Sequence, residues 1–327
     1  MDDSSIRLVQ IVHGADESVS RFIDEWLDDR DCVVAHTSGS TGAPKQIFLK
    51  KSDMQSSALA TCRYFGIDAA ARMVLPLSVD YIAGKMMIVR AAVSGAELWI
   101  ERPSNRPLSR DYGRIDLLPV VPSQLLGLVE NPLFRQVRNL IVGGGVLSSG
   151  IERQLIDCGV NVYATYGMTE TCSHVALRCI SRMEKCYEAL PDITFDIDKR
   201  GCLVVVAPKF SFGRLITNDI VDVKDERHFI WLGRYDNVIS TGGIKVFPEV
   251  VEQALAPFVE NPFYIIGRKS LIWGEEVVMY VEGDDVDCDD VMKKARLVLD
   301  RYSMPKEVIA VKQFQRTGSG KIKRRLL

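Results

Sequence analysis

Long apolar runs are missing from this sequence. Lys85, Arg90 and scattered glycines break the longest tracts, so no stretch of about 18 apolar residues offers a membrane span. A charge of one sign is missing too: 41 Lys+Arg stand against 43 Asp+Glu, a formal net charge of −2. Such a balance gives no global attraction for nucleic acid or an anionic membrane and leaves room only for a local patch. Histidine is scarce, with four residues and no HExxH, and none of the eight cysteines stands in a CxxC pair. Cys172, Cys179 and Cys186 recur every seven residues, but three thiols on one side of a helix do not close a zinc cage. The thiols read instead as small half-buried groups in a reduced cytosol. The acidic start, Met1-Asp2-Asp3, argues against a secretory or mitochondrial presequence, so a cytoplasmic location is expected. There are no internal repeats and no low-complexity tracts.

What is present is ordinary globular composition, 47% hydrophobic and 26% charged, in 327 residues. That length predicts about two domains. Strand-like and helix-like segments alternate. Ile6–Val12 is expected as a strand. Val19, Phe22, Ile23, Trp26 and Leu27 fall at i, i+3, i+4, i+7 and i+8, which predicts a helix over 18–29. Ser52-Asp53-Met54-Gln55 has the form of a capping box for a helix to about Tyr64. Short strands are expected at 32–35, 73–75, 97–100, 117–121, 139–142 and 161–165, with helices at 82–93, 123–130 and 149–158. This alternation implies an α/β fold with mixed, largely parallel sheets. After about residue 200 tight polar turns separate strands at 202–207, 229–232 and 237–240. Pro248 then occupies a first helical turn. Strands at 277–281 and 308–311 are expected around a helix over 289–302. The expected division is a large domain over 1–235 and a small α+β domain over 236–327.

The most informative stretch is Thr37-Ser38-Gly39-Ser40-Thr41-Gly42-Ala43-Pro44-Lys45. Two glycines free the backbone to curl so that successive N–H groups converge on an anion. Hydroxyls add donors, and Lys45 adds a compact charge for phosphate. A lone loop of this kind is more often a polar turn; the density of hydroxyls and the closing lysine tip the balance. It is not a Walker A loop, because Ala43-Pro44 separate Gly42 from Lys45 and Gln46 follows. Gly318-Ser319-Gly320-Lys321 also fails that pattern, since Ile322 replaces the Ser/Thr.

Further groups follow in order: Gly143-Gly144-Gly145, Tyr166-Gly167-Met168-Thr169-Glu170-Thr171, Asp219, Gly233-Arg234-Tyr235-Asp236, Thr241-Gly242-Gly243-Ile244-Lys245, and Arg316 to Ile322. Alone, Glu170 reads as a solvated carboxylate, Asp219 as a turn residue and Tyr166 as core. Lys321 alone belongs to a basic tail with Lys323, Arg324 and Arg325. As a series, from about Cys32 to Lys323, they resemble the adenylate-forming acyl-CoA ligase superfamily. The compact length, Tyr166–Glu170 and Ser173-His174-Val175 look most like the o-succinylbenzoate–CoA ligases of menaquinone biosynthesis.

The resemblance implies two steps. A carboxylate attacks the α-phosphate of ATP to give an acyl-adenylate and pyrophosphate, and the thiol of coenzyme A then displaces AMP. In such chemistry positioning and charge neutralisation dominate. By resemblance, Thr37, Ser38, Gly39, Ser40, Thr41, Gly42 and Lys45 grip the β- and γ-phosphates. Thr169 holds the α-phosphate and Glu170 the Mg2+ ion, a hard cation suited to oxygen ligands. Tyr166 and Gly167, with Gly143, Gly144 and Gly145, line the adenine. Asp219 takes the ribose hydroxyls and Arg234 adds a second contact. Lys321 is the catalytic lysine bridging substrate carboxylate and α-phosphate. Asp236 matches the hinge about which the small domain rotates, and Gly242, Gly243 and Lys245 form the loop presented to coenzyme A. The acyl slot is expected from Ser78, Tyr81, Gly84, Ser173 and His174, with His174 or Lys85 as anchors for an extra substrate carboxylate. His174 reads equally well as a hydrogen-bonded structural histidine.

The sequence departs from the family in places. Only 36 residues precede the phosphate loop, where the family commonly has well over a hundred, so a reduced N-terminal subdomain is expected, with a partner or second copy (a homodimer) covering the exposed sheet. No histidine stands in Leu75–Tyr81, Asn218 replaces a usual glycine, and Gln315 lacks the usual nearby proline. The competing expectations are another aryl- or acyl-CoA ligase, an enzyme that loads a carrier-protein thiol, and an inactive nucleotide-binding relative.

Overall fold

The computed structural model describes residues 8, 10–36, 46–145, 147, 149–156, 158–316 and 322–326. The N-terminal part builds a three-stranded parallel sheet from β1 (Val12–His13), β4 (Arg72–Leu75) and β5 (Glu97–Ile100), in the order β1-β5-β4. Helix α1 (Glu17–Leu27) starts at Asp16, whose carboxylate accepts from Val19 N at 3.0 Å, and it buries Val19, Phe22 and Ile23. Strands β2 (Cys32–His36) and β3 (Gln46–Lys50) pair antiparallel as a two-stranded hairpin. Helix α2 (Lys51–Phe65) follows β3 directly, and α3 (Ile82–Ser94) packs against α2. Residues Met86 to Ala91 of α3 are all buried, Arg90 included, so this helix is covered all round.

Two local expectations fail. The segment expected as a strand over Ile6–Val12 is helical at Leu8, Gln10 and Ile11, and only Val12 belongs to β1. Leu8, Ile11 and Val12 stand at i, i+3 and i+4, a spacing that suits one helix face as well as a short apolar strand. The capping box at Ser52 does not form either. The helix begins at Lys51, with Lys50 at the cap position and no side-chain cap. Lys51 N–H donates to Asp31 O at 2.8 Å across the hairpin base, and Asp53 accepts from Ser211 N–H and Oγ instead.

The second layer is a nine-stranded mixed sheet. It contains β6 (Leu118–Val120), β7 (Asn139–Val142), β8 (Asn161–Gly167), β9 (His174–Cys179), β10 (Tyr187–Ala189), β11 (Thr194–Ile197), β12 (Cys202–Ala207), β13 (Gly213–Asp225) and β14 (His228–Arg234). Their order is β11-β12-β13-β14-β10-β9-β8-β7-β6. β6, β7 and β8 are parallel, joined over α4 (Leu125–Val129) and α5 (Ser149–Leu155); from β9 onward the pairs are antiparallel. Flat, β8 and β13 would lie four strand spacings apart, about 19 Å. They are nevertheless bridged by one hydrogen bond, Tyr166 to Asp219, so the sheet curls. Register shifts at Tyr166/Gly167 and Ile220/Val221 mark the irregular points, where bulges sharpen twist.

A turn over Tyr235–Asn237 leads to a third body of chain. β15 (Ile239–Thr241), β16 (Ile244–Val246), β17 (Phe263–Ser270), β18 (Gly274–Glu282) and β19 (Glu307–Val311) form a five-stranded sheet with α6 (Pro248–Leu255) and α7 (Cys288–Val298). Two apolar clusters serve it. One contains Ile239, Val251, Leu255, Met279 and Ala295; the other contains Tyr264, Tyr280 and Phe314. Pro248 takes the first helical turn of α6, as its missing N–H allows.

Candidate active site

The parallel strands end where the sheet changes sense, between β8 and β9. A crevice outside the carboxyl ends of parallel strands at such a switch is the usual ligand position in α/β sheets. Gly143 directly follows β7, and a Cβ there would come within 2.7 Å of Thr165 Oγ1 on β8, so bare backbone lets the two strand ends close up. Gly144 and Gly145 follow it, both exposed.

At the end of β8, Tyr166 donates from Oη to Asp219 Oδ2 at 2.7 Å. Asp219 stands opposite Arg234 in the β13–β14 register, and Arg234 Nη1 lies 3.7 Å from Asp219 Oδ1. Three residues nominated from three separate stretches of sequence thus meet. Trp231 is a fourth that sequence reasoning missed: its Nε1 donates to Asp219 Oδ1 at 3.2 Å. The signal for it was its strand parity, three residues before Arg234 on a bulged strand, which a regular period of two would mislead. The Tyr166 ring also packs edge-on against Phe229 at 5.1 Å and Tyr187 at 6.0 Å. Burial, and then the Asp219 charge, push its phenol well above the usual tyrosine range. Tyr166 is therefore neutral, a donor to the carboxylate. Each Asp219 oxygen keeps an acceptor site beyond the bond it already receives.

Thr169–Thr171 forms a single 3-10 turn after β8. The buried Thr171 hydroxyl pins it, accepting from Met168 N–H at 3.0 Å and donating to Ser173 O at 2.6 Å. Gly167 is required here, since a Cβ would stand 2.3 Å from Ser173 O and 2.5 Å from His174 Cα. Thr169 is half-buried, and Glu170 is exposed with no hydrogen bond or ion pair to a described residue. Strand β3, which follows the Thr37–Lys45 loop, touches this turn. The loop residues Thr37, Ser38, Gly39, Ser40, Thr41, Gly42 and Lys45 lie outside the described residues, as does Lys321.

The nominated acyl residues fall in two places. Ser78 Oγ donates to Asp80 at 2.9 Å, Tyr81 is 56% exposed at the start of α3, and Gly84 is buried under the Ser78 carbonyl. Ser173 and His174 instead join a buried polar cluster. His174 Nε2 meets Thr61 Oγ1 at 3.1 Å, and Ser173 Oγ accepts from Arg90 Nη2 at 2.8 Å. Burial and the nearby Arg90 charge hold His174 well below the usual imidazole range, so the ring is neutral. Arg90 is fully buried, pairs with no carboxylate among the described residues, and burial pulls it down to about 10. Arg90 and Thr61 were missed because each sits inside an apolar helical run with no motif around it. Lys85 is taken by Glu25 at 3.4 Å and by the Phe22 ring at 4.3 Å.

The C-terminal nominees cluster on the small sheet. Gly242 and Gly243 (φ +56° and +82°) form the two-residue turn between β15 and β16, the pair of positive φ angles a tight right-twisted hairpin needs. Lys245 is exposed on β16, and Asp236 is exposed in the connecting turn, 3.5 Å from Arg234. Among the described residues no group of three or more His, Cys, Asp or Glu could hold a metal ion. No described helix is long and apolar enough to cross a membrane.

Residues 6–206 match the family model described as AMP-binding enzyme. The chain belongs to the AMP-binding enzyme family. By class it is an AMP-forming acyl- or aryl-CoA synthetase, a ligase. Among solved structures, an acyl-CoA synthetase (AMP-forming)/AMP-acid ligase II-like protein from Dyadobacter fermentans is 30% identical, with 97% of this chain and 95% of that one covered and a TM-score of 0.66. The o-succinylbenzoate CoA synthetase of Bacillus subtilis, in complex with its acyl-adenylate intermediate, is 21% identical with 89% and 67% covered and a TM-score of 0.78. Among curated relatives, the 2-succinylbenzoate–CoA ligase of Listeria monocytogenes is 22% identical over 333 residues, 94% of this chain and 71% of the relative. The indoleacetate–CoA ligase of Aromatoleum aromaticum is 25% identical over 340 residues, 89% and 66%. The family's α/β fold is thus present in a chain shorter than most of these relatives.

Proposed function

We propose that this ligase converts o-succinylbenzoate to its coenzyme A thioester in the cytoplasm, through an acyl-adenylate, with release of AMP and pyrophosphate. The observation that carries the adenylate step is the meeting of Tyr166, Asp219, Trp231 and Arg234 at the switch point of the large sheet. Asp219, steadied by two neutral donors and one cation, offers its remaining acceptor sites to the two ribose hydroxyls of ATP. Gly143–Gly145 and the Tyr166 face receive the adenine. The Thr169–Glu170 turn, next to the strand that leaves the Thr37–Lys45 loop, suits the α-phosphate and Mg2+. Bound Mg2+ would neutralise charge on the phosphates. Lys321 bridges the two anions that must approach each other, a contact worth up to about 10²–10³ in rate in a closed site. The 2-succinylbenzoate–CoA ligases among the relatives support the acid chosen. A second aryl acid is favoured by the indoleacetate–CoA ligase relative. In this reading the division into 1–235 and 236–327 is functional: the small domain delivers Lys321 for adenylation, then turns about Asp236 to present Gly242, Gly243 and Lys245 to coenzyme A.

The test is coenzyme A-dependent release of AMP and pyrophosphate from ATP with a panel of small carboxylates. Turnover with o-succinylbenzoate above all others supports the proposal; turnover with a different aryl acid keeps the mechanism and discards the substrate. Lys321→Ala is expected to impair adenylation and largely spare thioester formation from supplied acyl-adenylate. Equal loss in both half-reactions would remove the role given to Lys321.

A further inference from the structure

Asp219 stands in a stretch of β13 that the neighbouring strand does not hold. Val204 pairs with Ile216 and Cys202 with Ile220, so Thr217, Asn218 and Asp219 lie opposite Leu203 alone. Extra residues on one strand make a bulge, and a bulge leaves backbone groups without ladder partners. Those groups have to be met in another way. Thr217 does part of this: its Oγ1 donates to Leu203 O at 2.9 Å and accepts from Asp219 N–H at 3.0 Å. The Thr217 carbonyl is met by the side chain of Arg200, whose Nη2 donates to it at 3.0 Å.

Arg200 lies in the tight turn between β11 and β12, and no motif in the sequence marks it. The turn is built on Asp198, whose Oδ1 accepts from Arg200 N–H at 2.8 Å and from Cys202 N–H at 2.9 Å. The Oδ2 of the same carboxylate accepts from Arg200 Nε at 2.7 Å, which aims the guanidinium. The other two nitrogens reach β13. Nη2 holds Thr217 O, and Nη1 donates to Asn218 Oδ1 at 3.0 Å, on the residue directly before Asp219. The Tyr235 ring lies over the guanidinium at 5.0 Å. Tyr235 follows Arg234, the cation that stands opposite Asp219 on β14. One arginine therefore touches the chain on both sides of the Asp219–Arg234 pair.

We propose that Arg200 is a positioning residue for the ribose-binding carboxylate: by holding Thr217 O, Asn218 and Tyr235, it fixes the bulge that aims Asp219 at the nucleotide. The inference rests on the ribose role given to Asp219 above. Tyr166 and Trp231 act on the carboxylate itself, whereas Arg200 acts on the backbone that carries it. A carboxylate that accepts from two hydroxyls at once depends on its orientation, because hydrogen bonds weaken steeply as they bend. The planar guanidinium suits the task, since its nitrogens serve Asp198, Thr217 and Asn218 in fixed directions; an ammonium is a single point of charge.

The experiment titrates the full chain by calorimetry with ATP and with dideoxy-ATP, which lacks both ribose hydroxyls. The ratio of the two affinities reads the bonds to Asp219 and little else. Arg200→Met is expected to weaken ATP binding by ~10-fold and to leave dideoxy-ATP unchanged, with Arg200→Lys recovering only part of the loss. A merely structural role weakens both nucleotides alike, and that result overturns the proposal, as does an unchanged ATP affinity in Arg200→Met. If Arg200→Met fails to fold, Asn218→Ala, which removes one bond to the guanidinium, carries the test with the same two nucleotides and a smaller fall in the ratio. The wild type separates the two ideas. If it prefers ATP and Arg200→Met prefers it equally, the positioning fails alone; if the wild type binds both nucleotides equally, the ribose role of Asp219 fails and takes the positioning with it.

Discussion

At the scale of single residues, the site rests on hydrogen bonds that a sequence does not print. Tyr166→Phe removes one donor from the Asp219 carboxylate. A bond to a charged group is worth about 1.5–3 kcal/mol, so ATP affinity is expected to fall by roughly tenfold or more, read by calorimetric titration; an unchanged affinity would detach Asp219 from the nucleotide. His174 gives a pH signature. Its folded pKa lies well below the ordinary 6.5, so the folded state binds fewer protons than the unfolded chain as pH falls. Its contribution is present above pH 6.5 and is lost on acidification, by up to about 1.4 kcal/mol per pH unit. The melting temperature of the wild type should therefore drop faster than that of His174→Gln on going below pH 6.5. Gly167→Ala places a methyl against Ser173 O and His174 Cα, both backbone. A cost of about 1–3 kcal/mol and a displaced Thr169–Glu170 turn are expected, seen as lower stability together with weaker adenylation. Of these residues, Tyr166, Gly167 and His174 were legible as candidates because they stand in a dense motif. Trp231, Arg90 and Thr61 were not, because nothing local distinguishes them from core.

At the scale of elements, the period of apolar residues located most helices and short strands well, since burial on one face imposes that period directly. β3, β9, β10, β11, β13, β16 and β17 were not foreseen. β3 directly follows residues 37–45, and its outward residues, Phe48 at 66% exposure among them, blur the alternation. β13 carries bulges that shift its parity. The Ser52 capping box failed because the helix starts one residue earlier, at Lys51, which puts Ser52 inside the first turn, and the strand-to-helix junction, with Lys51 N–H on Asp31 O, needed no side-chain cap. The β15–β16 turn is more local, and its demands can be tested locally. Gly243 has open space around it but φ +82°, so Gly243→Ala should cost only the left-handed strain, about 1–2 kcal/mol. Gly242→Ala should cost more, because its Cβ would also press on Trp273 at 3.1 Å. Thermal melts of the two variants should show that order.

At the scale of the whole molecule, the small sheet has its own apolar clusters, which supports the proposed division at 235/236. A fragment from Asp236 to the C-terminus, about 90 residues, is a size that folds alone; it should melt cooperatively by circular dichroism, and a featureless melt would count against two units. Burial also has a global readout. Tyr64, Tyr112, Tyr163, Tyr166, Tyr187 and Tyr264, six of the ten tyrosines, are all pushed above pH 10, burial being the largest cause for each. Their stabilising contribution holds below pH 10 and is lost as pH rises, because the unfolded chain releases those protons first. An alkaline absorbance titration should show them ionising with unfolding, not in a smooth step near 10. The sequence by itself determined the class of the fold, the order of the functional groups along the chain and the family, because these depend on local periodicity and on residue types packed into short motifs. The tertiary structure decided which of those groups meet. The curl of the large sheet set Tyr166 on Asp219, the buried Arg90 cluster claimed Ser173 and His174, and α6 drew the connecting turn and Arg324 onto one carboxylate. Such contacts join residues far apart in the chain, and their free energy comes from shared burial, which no local pattern records.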